Sequence, residues 1–330
     1  MSHAVWHPRR PVIRPPAVTA GTGVAIVSTS SPVPGDELDR LTAYFADRGH
    51  PVTVSAHARA ATGYLAGPPA DRAADLMAAF TDPGIGLIVP ATGGKGAAQL
   101  LDLLDYEVIA ENPTVFTALS DPVIVANAIT ARTGLATVHG PTGYDFTREP
   151  VNSATADRFW QFVSGRVKGQ TVSGSDWRVP RGAGRVFSGP VVGGHLGTIR
   201  ALVGTPWMPD TRGAVLILEE VFVPWVQVDA ALTHLRLAGV LDPIAGLVVA
   251  APVDGPRDDA PDETYDELLL RCAGGHFPIV TGAEFGHTST KFPLPLGLDV
   301  EVDLTGTPTL RYLKDFVAFP DRLRHLGFTR

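Results

Sequence analysis

The stretch Thr114-Val115-Phe116-Thr117-Ala118-Leu119-Ser120-Asp121-Pro122-Val123-Ile124 joins an apolar, strand-like run to an apolar run of helical length. The first run stops at Ser120, and the second extends from Val123 to about Ala131. This order predicts a strand, a sharp turn and a helix, with a hydroxyl at the corner. Ser120 could be a nucleophile on such an elbow, or it could simply cap the helix, because serine is a preferred N-cap residue. The stretch alone favours the cap.

Strand and helix patterns alternate on the N-terminal side of this stretch. Apolar runs predict strands over 23–28, 52–54, 85–89 and 115–119, and helical spacing predicts helices over 36–48, 71–80 and 96–104. This alternation predicts an α/β fold with a parallel sheet covered by helices. Sites in such sheets form at the carboxyl ends of the strands, where Ser120 and the glycine loop after Val89 both lie.

The rest of the chain predicts a second unit. Strands are expected over 214–218, 244–250 and 278–281, helices over 196–203, 228–238 and 265–272, and a hairpin from 299–304 to 309–312. Irregular apolar spacing over 145–189 indicates a connection that contains one helix, over 154–163. We therefore expect a disordered arm (1–20), a nucleophile-bearing α/β domain (21–145), a connection (146–189), a C-terminal domain (190–317) and a tail (318–330).

The composition favours a globular protein of the reducing cytoplasm. The 330 residues are 45% hydrophobic and 18% charged, and the net charge of −7 disfavours nucleic acid or an anionic membrane as a partner. We expect no membrane span, because no apolar stretch has the required length. The single cysteine, Cys272, cannot form an internal disulfide. The histidines and Cys272 lack zinc-site spacing, so we expect no metal.

Three further segments could carry chemistry. The glycine loop Ala91-Thr92-Gly93-Gly94-Lys95-Gly96 could hold a phosphate, but a glycine follows Lys95 where a P-loop has Ser or Thr. The same loop could instead offer a backbone N–H group to an oxyanion. The apolar run ending at Leu218 is followed by Glu219 and Glu220, and His287 lies in a turn-rich segment. Each of these side chains could also be an ordinary surface group.

The order serine, glutamate, histidine matches a known division of labour. A serine hydroxyl needs an imidazole base to become a nucleophile, and the base needs a carboxylate to orient it and stabilise its positive charge. Sequence spacing alone does not bring the three groups together.

The chain resembles the serine peptidase family of LD-carboxypeptidases and microcin C immunity proteins from about residue 23 to residue 313. The resemblance rests on the order of many short segments. These include Ser120-Asp121, Gly193-Gly194-His195-Leu196, Gly204-Thr205-Pro206-Trp207-Met208-Pro209, Leu218-Glu219-Glu220, Phe285-Gly286-His287-Thr288 and Pro293-Leu294-Pro295-Leu296-Gly297.

The resemblance implies specific roles and raises the nucleophile interpretation above the cap. It implies Ser120 as nucleophile, Glu219 as triad acid and His287 as base, with the backbone N–H groups of Gly94 and Asp121 as the oxyanion hole. It also implies a C-terminal α+β domain built around a small β-barrel-like sheet, a site between the domains, a homodimer, and no metal or cofactor.

Some positions differ from the family pattern and affect the expected substrate site. Thr92 and Lys95 replace the arginine and aromatic residue that usually flank the paired glycines, and Ala118 replaces a glycine two residues before the nucleophile. We expect Thr92, Lys95, Trp177 and Trp207 to contact substrate, with Lys95 as the cation for a carboxylate. Trp177 could hold a nucleobase, although a packed or merely exposed tryptophan is the simpler interpretation.

These features predict a cofactor-free serine hydrolase resembling LD-carboxypeptidases. It would cleave an amide bond near the C-terminus of a cell-wall-derived L,D-peptide through an acyl-enzyme. One alternative is an immunity-type hydrolase of peptidyl or aminoacyl nucleotides, which would give antibiotic resistance. Another is a binding protein on a degenerate hydrolase scaffold.

Overall fold

The N-terminal half forms the predicted parallel sheet. A computed structural model describes residues 9–148, 152–253 and 262–319. Five parallel strands lie in the order β2-β1-β3-β4-β5: β1 Gly23–Val27, β2 Val52–Val54, β3 Ile85–Pro90, β4 Val115–Ala118 and β5 Thr137–His139. Every residue of β1, β4 and β5 is buried. Burial on both faces explains why these strands are continuously apolar.

Helices connect these strands. The helices are α1 Gly35–Ala46, α2 Pro69–Thr81, α3 Tyr106–Glu111, α4 Val123–Thr133 and α5 Gly143–Thr147. Helices α1, α2 and α4 lie where the sequence predicts them, whereas α5 was not predicted. The predicted helix over 96–104 is wrong, because only a 3₁₀ turn, Ala97–Leu100, forms there. The helix starts later, where the Asp105 carboxylate accepts the N–H groups of Glu107 and Val108 and caps α3.

The C-terminal half continues the same sheet. Its strands are β6 Thr171–Val172, β7 Arg178–Arg181, β8 Val186–His195, β9 Val215–Glu219, β10 Gly246–Ala250, β11 Ile279–Ala283, β12 Leu294–Leu296, β13 Asp299–Asp303 and β14 Thr309–Tyr312. Its helices are α6 Ser153–Ser164, α7 Leu196–Leu202, α8 Trp225–Leu237 and α9 Tyr265–Ala273. The segment predicted as a connection, 146–189, contains α6, β6, β7 and the start of β8.

Strand β12 joins the two halves. It pairs antiparallel with β5 and parallel with β8, so the path runs β5-β12-β8-β9-β10-β11-β7 across both halves. Strands β13, β14 and β6 branch from β8, and the path ends at β7. The barrel-like sheet implied by the family is therefore open among the residues that the structure describes.

The N-terminal arm is ordered where it is described, which corrects the prediction of disorder for residues 9–20. Ile13 pairs with Leu135, Pro16 pairs with Ala318, and Val18 is buried and donates its N–H to Val163. The arm is apolar enough at these positions to bury side chains against the body. Residues 1–8, and 320–330 of the predicted tail, lie outside the described residues.

No helix in the described ranges is long and apolar enough to cross a bilayer.

Asn127 links α4, the helix that follows Ser120, to strand β8 of the other half. Its buried side-chain amide donates to the Gly193 carbonyl (2.8 Å) and accepts from the Gly193 N–H (3.1 Å). These bonds satisfy both backbone groups of Gly193 with one side chain. Buried backbone groups need such partners, so Asn127 fixes the distance between the two halves beside the site.

We predict that Asn127→Leu lowers the free energy of unfolding by about 2–4 kcal/mol, because it leaves the N–H and C=O groups of Gly193 without partners. Urea unfolding followed by circular dichroism measures this loss. Asn112→Leu is the control, since Asn112 bonds only one carbonyl at the half-buried end of α3; it should cost less than about 1 kcal/mol. Equal losses of unfolding free energy in the two variants would contradict the role assigned to the Asn127–Gly193 hydrogen bonds.

Candidate active site

Ser120 lies on a strained corner at the carboxyl end of β4. Its φ angle is +62°, in the left-handed region that a residue with a Cβ seldom adopts. Such a conformation costs on the order of 1–3 kcal/mol and persists only where the surroundings impose it. Pro122 is the N-cap residue of α4, and no side chain caps that helix end. The helix-cap interpretation of Ser120 is therefore wrong, because the Ser120 side chain does not cap α4.

The glycine loop approaches Ser120 so closely that no larger residue fits. A Cβ placed on Gly93 would lie 2.7 Å from the Ser120 Cβ and 3.0 Å from its Oγ. Gly94 has a φ of +114°, and a Cβ there would collide with Ser31. Ser31 also fixes the loop, since its N–H donates to Gly93 and its Oγ accepts the N–H of Lys95. These contacts hold the loop backbone beside the hydroxyl.

Glu219 and His287 form a hydrogen-bonded pair. The His287 Nδ1 atom lies 2.7 Å from the Glu219 Oε2 atom, at the carboxyl end of β9. Burial alone would raise the pKa of Glu219, but the hydrogen bond from His287 and the charges of nearby histidines lower it below its usual value. The carboxylate therefore stays ionised, and with Nδ1 as the donor the other ring nitrogen of His287 can accept a proton.

One cleft brings the nucleophile and the base together. It has a volume of about 830 Å³, and both Ser120 and His287 line it. Glu219 is buried and is not among the lining residues, so it supports His287 from behind. The other lining residues come from the glycine loop, α5, α6 and the segments after β9, β10 and β11: Thr92, Gly93, Gly94, Leu119, Thr142, Tyr144, Asp145, Arg148, Asn152–Thr155, Val221, Phe222, Val253, Thr288, Ser289 and Lys291.

Of the four predicted substrate contacts, only Thr92 lines this cleft. Lys95 is exposed and is not among the lining residues, but its charge acts on Asp121 and His195, so its expected role stays a prediction. Trp177 is buried and packs on Phe292, with ring centroids 5.9 Å apart. Trp207 is half-buried and also lies off the wall. The simpler interpretation of Trp177 as a packed tryptophan fits this position.

Arg72 is a buried group that sequence reasoning did not single out as part of the site. Its guanidinium donates to three backbone carbonyls, those of Thr29 (2.6 Å), Gly96 (3.1 Å) and Gly67 (3.2 Å). Burial lowers its pKa, and the nearby Asp121 charge opposes that effect. Arg72 thus ties the end of the glycine loop to two other loops. The signal in the sequence was an arginine on the buried face of α2, which also carries Asp75 among apolar residues.

Asp121 is anchored through its side chain. Its Oδ2 atom accepts the N–H of Ala97 at 2.7 Å, just after the glycine loop. Burial raises the pKa of Asp121. This bond connects the turn that follows Ser120 to the loop that precedes it.

A second histidine–glutamate pair lies beside the first and was also missed. The His195 Nε2 atom lies 2.8 Å from the Glu220 Oε1 atom, and the His195 ring centroid is 6.0 Å from that of His287. Burial opposes protonation of His195, but the hydrogen bond to Glu220 and the charges of Glu219 and Glu220 outweigh it and raise the pKa of His195. His195 is the last residue of β8 and Glu220 directly follows β9, so both lie at strand ends.

His139 completes the group behind the site. It is fully buried at the end of β5, and its ring packs edge-on against Phe285, 5.6 Å away. Burial lowers the pKa of His139 to about 4, so its ring is neutral at physiological pH. Among the described residues, no group of three or more His, Cys, Asp or Glu side chains has an arrangement that could hold a metal ion.

Comparison with known proteins identifies the family. The model of the LD-carboxypeptidase N-terminal domain matches residues 24–140, and that of the C-terminal domain matches residues 188–302. The chain belongs to the LD-carboxypeptidase family. This membership supports a serine peptidase function at the level of the family.

Individual relatives agree with this assignment. A Streptomyces coelicolor protein named "Putative carboxypeptidase" is 36% identical over 91% of this chain and 97% of its own length. The murein tetrapeptide carboxypeptidase of Pseudomonas aeruginosa is 26% identical over 83% of this chain and 91% of its own. The structure of the microcin C7 self-immunity protein MccF of Escherichia coli, in complex with glutamyl sulfamoyl guanosine, superposes with a TM-score of 0.85. It is 21% identical and covers 92% of this chain and 99% of MccF, so it shows the shared fold.

We predict that Glu220→Gln destabilises this LD-carboxypeptidase family member more at about pH 6 than at about pH 9. The raised pKa of His195 means that its protonated form contributes stability below its unfolded pKa of about 6.5, and that this contribution is lost as the pH rises through the folded pKa. Melting temperatures of both proteins at the two pH values measure the effect. Glu111→Gln, at the exposed end of α3, is the control. A pH-independent loss in Glu220→Gln would argue against a charged His195.

Proposed function

We propose that this protein is a serine hydrolase that cleaves an amide bond near the C-terminus of a cell-wall-derived L,D-peptide. One observation carries the proposal: the Glu219–His287 pair opens into the same cleft as the strained serine of β4. Family membership supports a peptidase function, and the name of the Pseudomonas aeruginosa relative supports a murein peptide as the substrate class. Family members are expected to be homodimers, and this remains a prediction here.

In the proposed mechanism His287 acts as general base. Its Nδ1–H donates to Glu219, which leaves Nε2 to take the proton of the Ser120 hydroxyl. The Ser120 Oγ atom then attacks the carbonyl carbon of the scissile amide. Glu219 holds the ring orientation and stabilises the imidazolium that forms. The imidazolium next gives its proton to the leaving amine, and water releases the acyl group from Ser120 by the same steps.

The oxyanion would be held by two backbone N–H groups, those of Gly94 and Asp121. The loop and the turn that carry them are fixed by Ser31, Arg72 and the bond from Ala97 to the Asp121 carboxylate. A donor that does not have to reorganise during the reaction stabilises developing charge most effectively. This is the role we assign to the tight glycine packing around Ser120.

The first prediction from this mechanism concerns the triad. Ser120→Ala and His287→Ala should each lower kcat by about 10⁶, and Glu219→Gln by a smaller factor of about 10⁴, because the three groups act as a unit. Steady-state rates on a muropeptide tetrapeptide measure this, and circular dichroism confirms folding. The Ser120→Ala/His287→Ala double variant should be no slower than either single variant. Wild-type turnover by Ser120→Ala would remove the proposed mechanism.

The cation expected to recognise the substrate carboxylate is reassigned from Lys95 to Arg148. Arg148 lines the cleft, is exposed, and its guanidinium lies 5.7 Å from the Tyr144 ring centroid. It has no ion-pair partner among the described residues. A planar guanidinium can bind a carboxylate through two parallel hydrogen bonds, which an ammonium group cannot do.

The second prediction distinguishes the two substrate classes. Purified protein is given a muropeptide tetrapeptide and an aminoacyl-sulfamoyl adenosine, and both are followed by mass spectrometry. We expect cleavage of the tetrapeptide, and a loss of about 1.5–3 kcal/mol in kcat/KM for Arg148→Met because a charge-assisted contact is removed. Lys95→Met is the matched control and should stay near the wild-type value. Turnover of the nucleotide conjugate alone would favour the immunity-type function. This alternative is kept because MccF, which has the same fold, binds glutamyl sulfamoyl guanosine.

A further inference from the structure

The segment that carries His287 has no regular secondary structure. It runs over residues 284–293, between β11 and β12, and is called here the histidine loop. Within the loop the Thr288 hydroxyl bonds the carbonyls of Phe285 and Thr290, and Phe292 donates its N–H to Glu284. A loop without a helix or strand needs outside contacts to hold a catalytic ring in one place.

The first set of outside contacts comes from the start of α6. The Asn152 amide donates to the Ser289 carbonyl and to the Thr290 hydroxyl, both at 2.9 Å. The Thr155 hydroxyl accepts the N–H of Lys291 at 3.1 Å. These bonds fix the far end of the loop to α6, which packs on α1 through Trp160 and Phe45.

The second contact crosses between the halves. The Lys291 ammonium lies 2.7 Å from the Asp145 Oδ1 atom, with side-chain exposures of 8% and 17%. The other carboxylate oxygen of Asp145 accepts the N–H (2.9 Å) and hydroxyl (3.1 Å) of Thr142, which forms the capping box of α5. Both oxygens are thus occupied, and the carboxylate cannot rotate without losing bonds.

Helix α5 is itself bonded to the nucleophile domain. The N–H of Tyr144 donates to the carbonyl of Ala91, the first residue of the glycine loop (2.9 Å). The Thr117 hydroxyl, on β4 three residues before Ser120, donates to the carbonyl of Pro141 (2.8 Å). The path from Lys291 to the catalytic corner therefore consists of one ion pair, one capping box and two hydrogen bonds.

Building on the proposed function, we propose that Lys291 and Asp145 are positioning residues that hold His287 against Ser120. Lys291 acts through the histidine loop, and it does not bind the substrate. Both side chains line the cleft, but the Lys291 ammonium and both Asp145 oxygens already have partners. The sheet already joins the two halves through β12, and the pair serves to hold the histidine loop in one arrangement against α5.

The energetics of buried ion pairs favour this role over a purely stabilising one. Desolvation of two charges offsets most of their attraction, so such a pair adds little net stability. The ion pair does favour one placement of the histidine loop, because any other placement would leave two buried charges unpaired. If the pair positions His287, its removal should slow the reaction strongly while lowering the melting temperature of the protein only slightly.

The test uses Lys291→Met, Lys291→Arg and the Asp145→Leu/Lys291→Met double variant, which leaves no unpaired buried charge. The readouts are the rate constant for labelling by a small fluorophosphonate that lacks a carboxylate, then kcat, KM and the melting temperature. Lys314→Met is the matched control, because Lys314 pairs with Asp299 in an exposed ion pair away from the cleft.

We expect Lys291→Met and the double variant to label at least about tenfold more slowly, with a lower kcat and a KM within about twofold of wild type. Lys291→Arg should recover part of the rate, and Lys314→Met all of it. A double variant that labels at the wild-type rate overturns the proposal. So does a raised KM with unchanged kcat, which would make Lys291 a substrate contact, and so does a double variant that is unfolded at the assay temperature.

The two levels of the account fail separately. If wild-type protein is not labelled at Ser120 at all, the proposed function is wrong and the positioning role has no reaction to act on. If Ser120 is labelled and the double variant matches wild type, only the positioning role is wrong.

Discussion

The site depends on one buried contact, the hydrogen bond between Glu219 and His287. It joins the end of a buried strand to a loop that lies 68 residues further along the chain. A buried carboxylate without a partner would be costly, so this bond both orients the imidazole and makes the burial of Glu219 tolerable. Gly286 is part of the same contact, because a Cβ there would lie 2.6 Å from the Glu219 Cγ atom.

The groups around Ser120 are held in place by local strain and close packing, as His287 is held by Glu219. A left-handed serine, a glycine loop packed against it and a buried Arg72 each cost free energy taken alone. In the proposed mechanism, their combined effect is to hold the hydroxyl and two backbone N–H groups in place before any substrate binds. Sites that act by preorganised electrostatics are expected to concentrate such local strain. The single sheet that runs through both halves keeps these two sets of groups in one frame.

The sequence predicted those parts of the molecule that follow from local pattern. Strands β1, β3 and β4 could be recognised because they are continuously apolar, whereas the short strand β5 was not predicted. Ser120 and Glu219 could be recognised because polar residues end apolar runs. Strand β12 could not be recognised, since its three residues include a proline and it pairs with strands from both halves. The prolines and arginines of the N-terminal arm predict disorder. The few side chains that the arm buries, such as Val18, form no regular pattern in the sequence.

The buried polar contacts around the site could not be predicted from local sequence pattern. Arg72, His195 and Lys291 have partners that are distant in sequence, and Lys291 and Asp145 are 146 residues apart. No local pattern encodes such a pair, because it exists only once the sheet has brought the halves together. Lys95 directly follows Gly94 in sequence, but its exposed side chain is not among the residues that line the cleft, and its role stays a prediction.

The most direct measurement of the central claim is the site of covalent modification by a fluorophosphonate, read by intact mass and peptide mapping. The account predicts one adduct per chain, located on Ser120 and absent in His287→Ala, because only the Glu219–His287 pair makes that hydroxyl nucleophilic. An adduct on another residue, or equal labelling of wild type and His287→Ala, would contradict it.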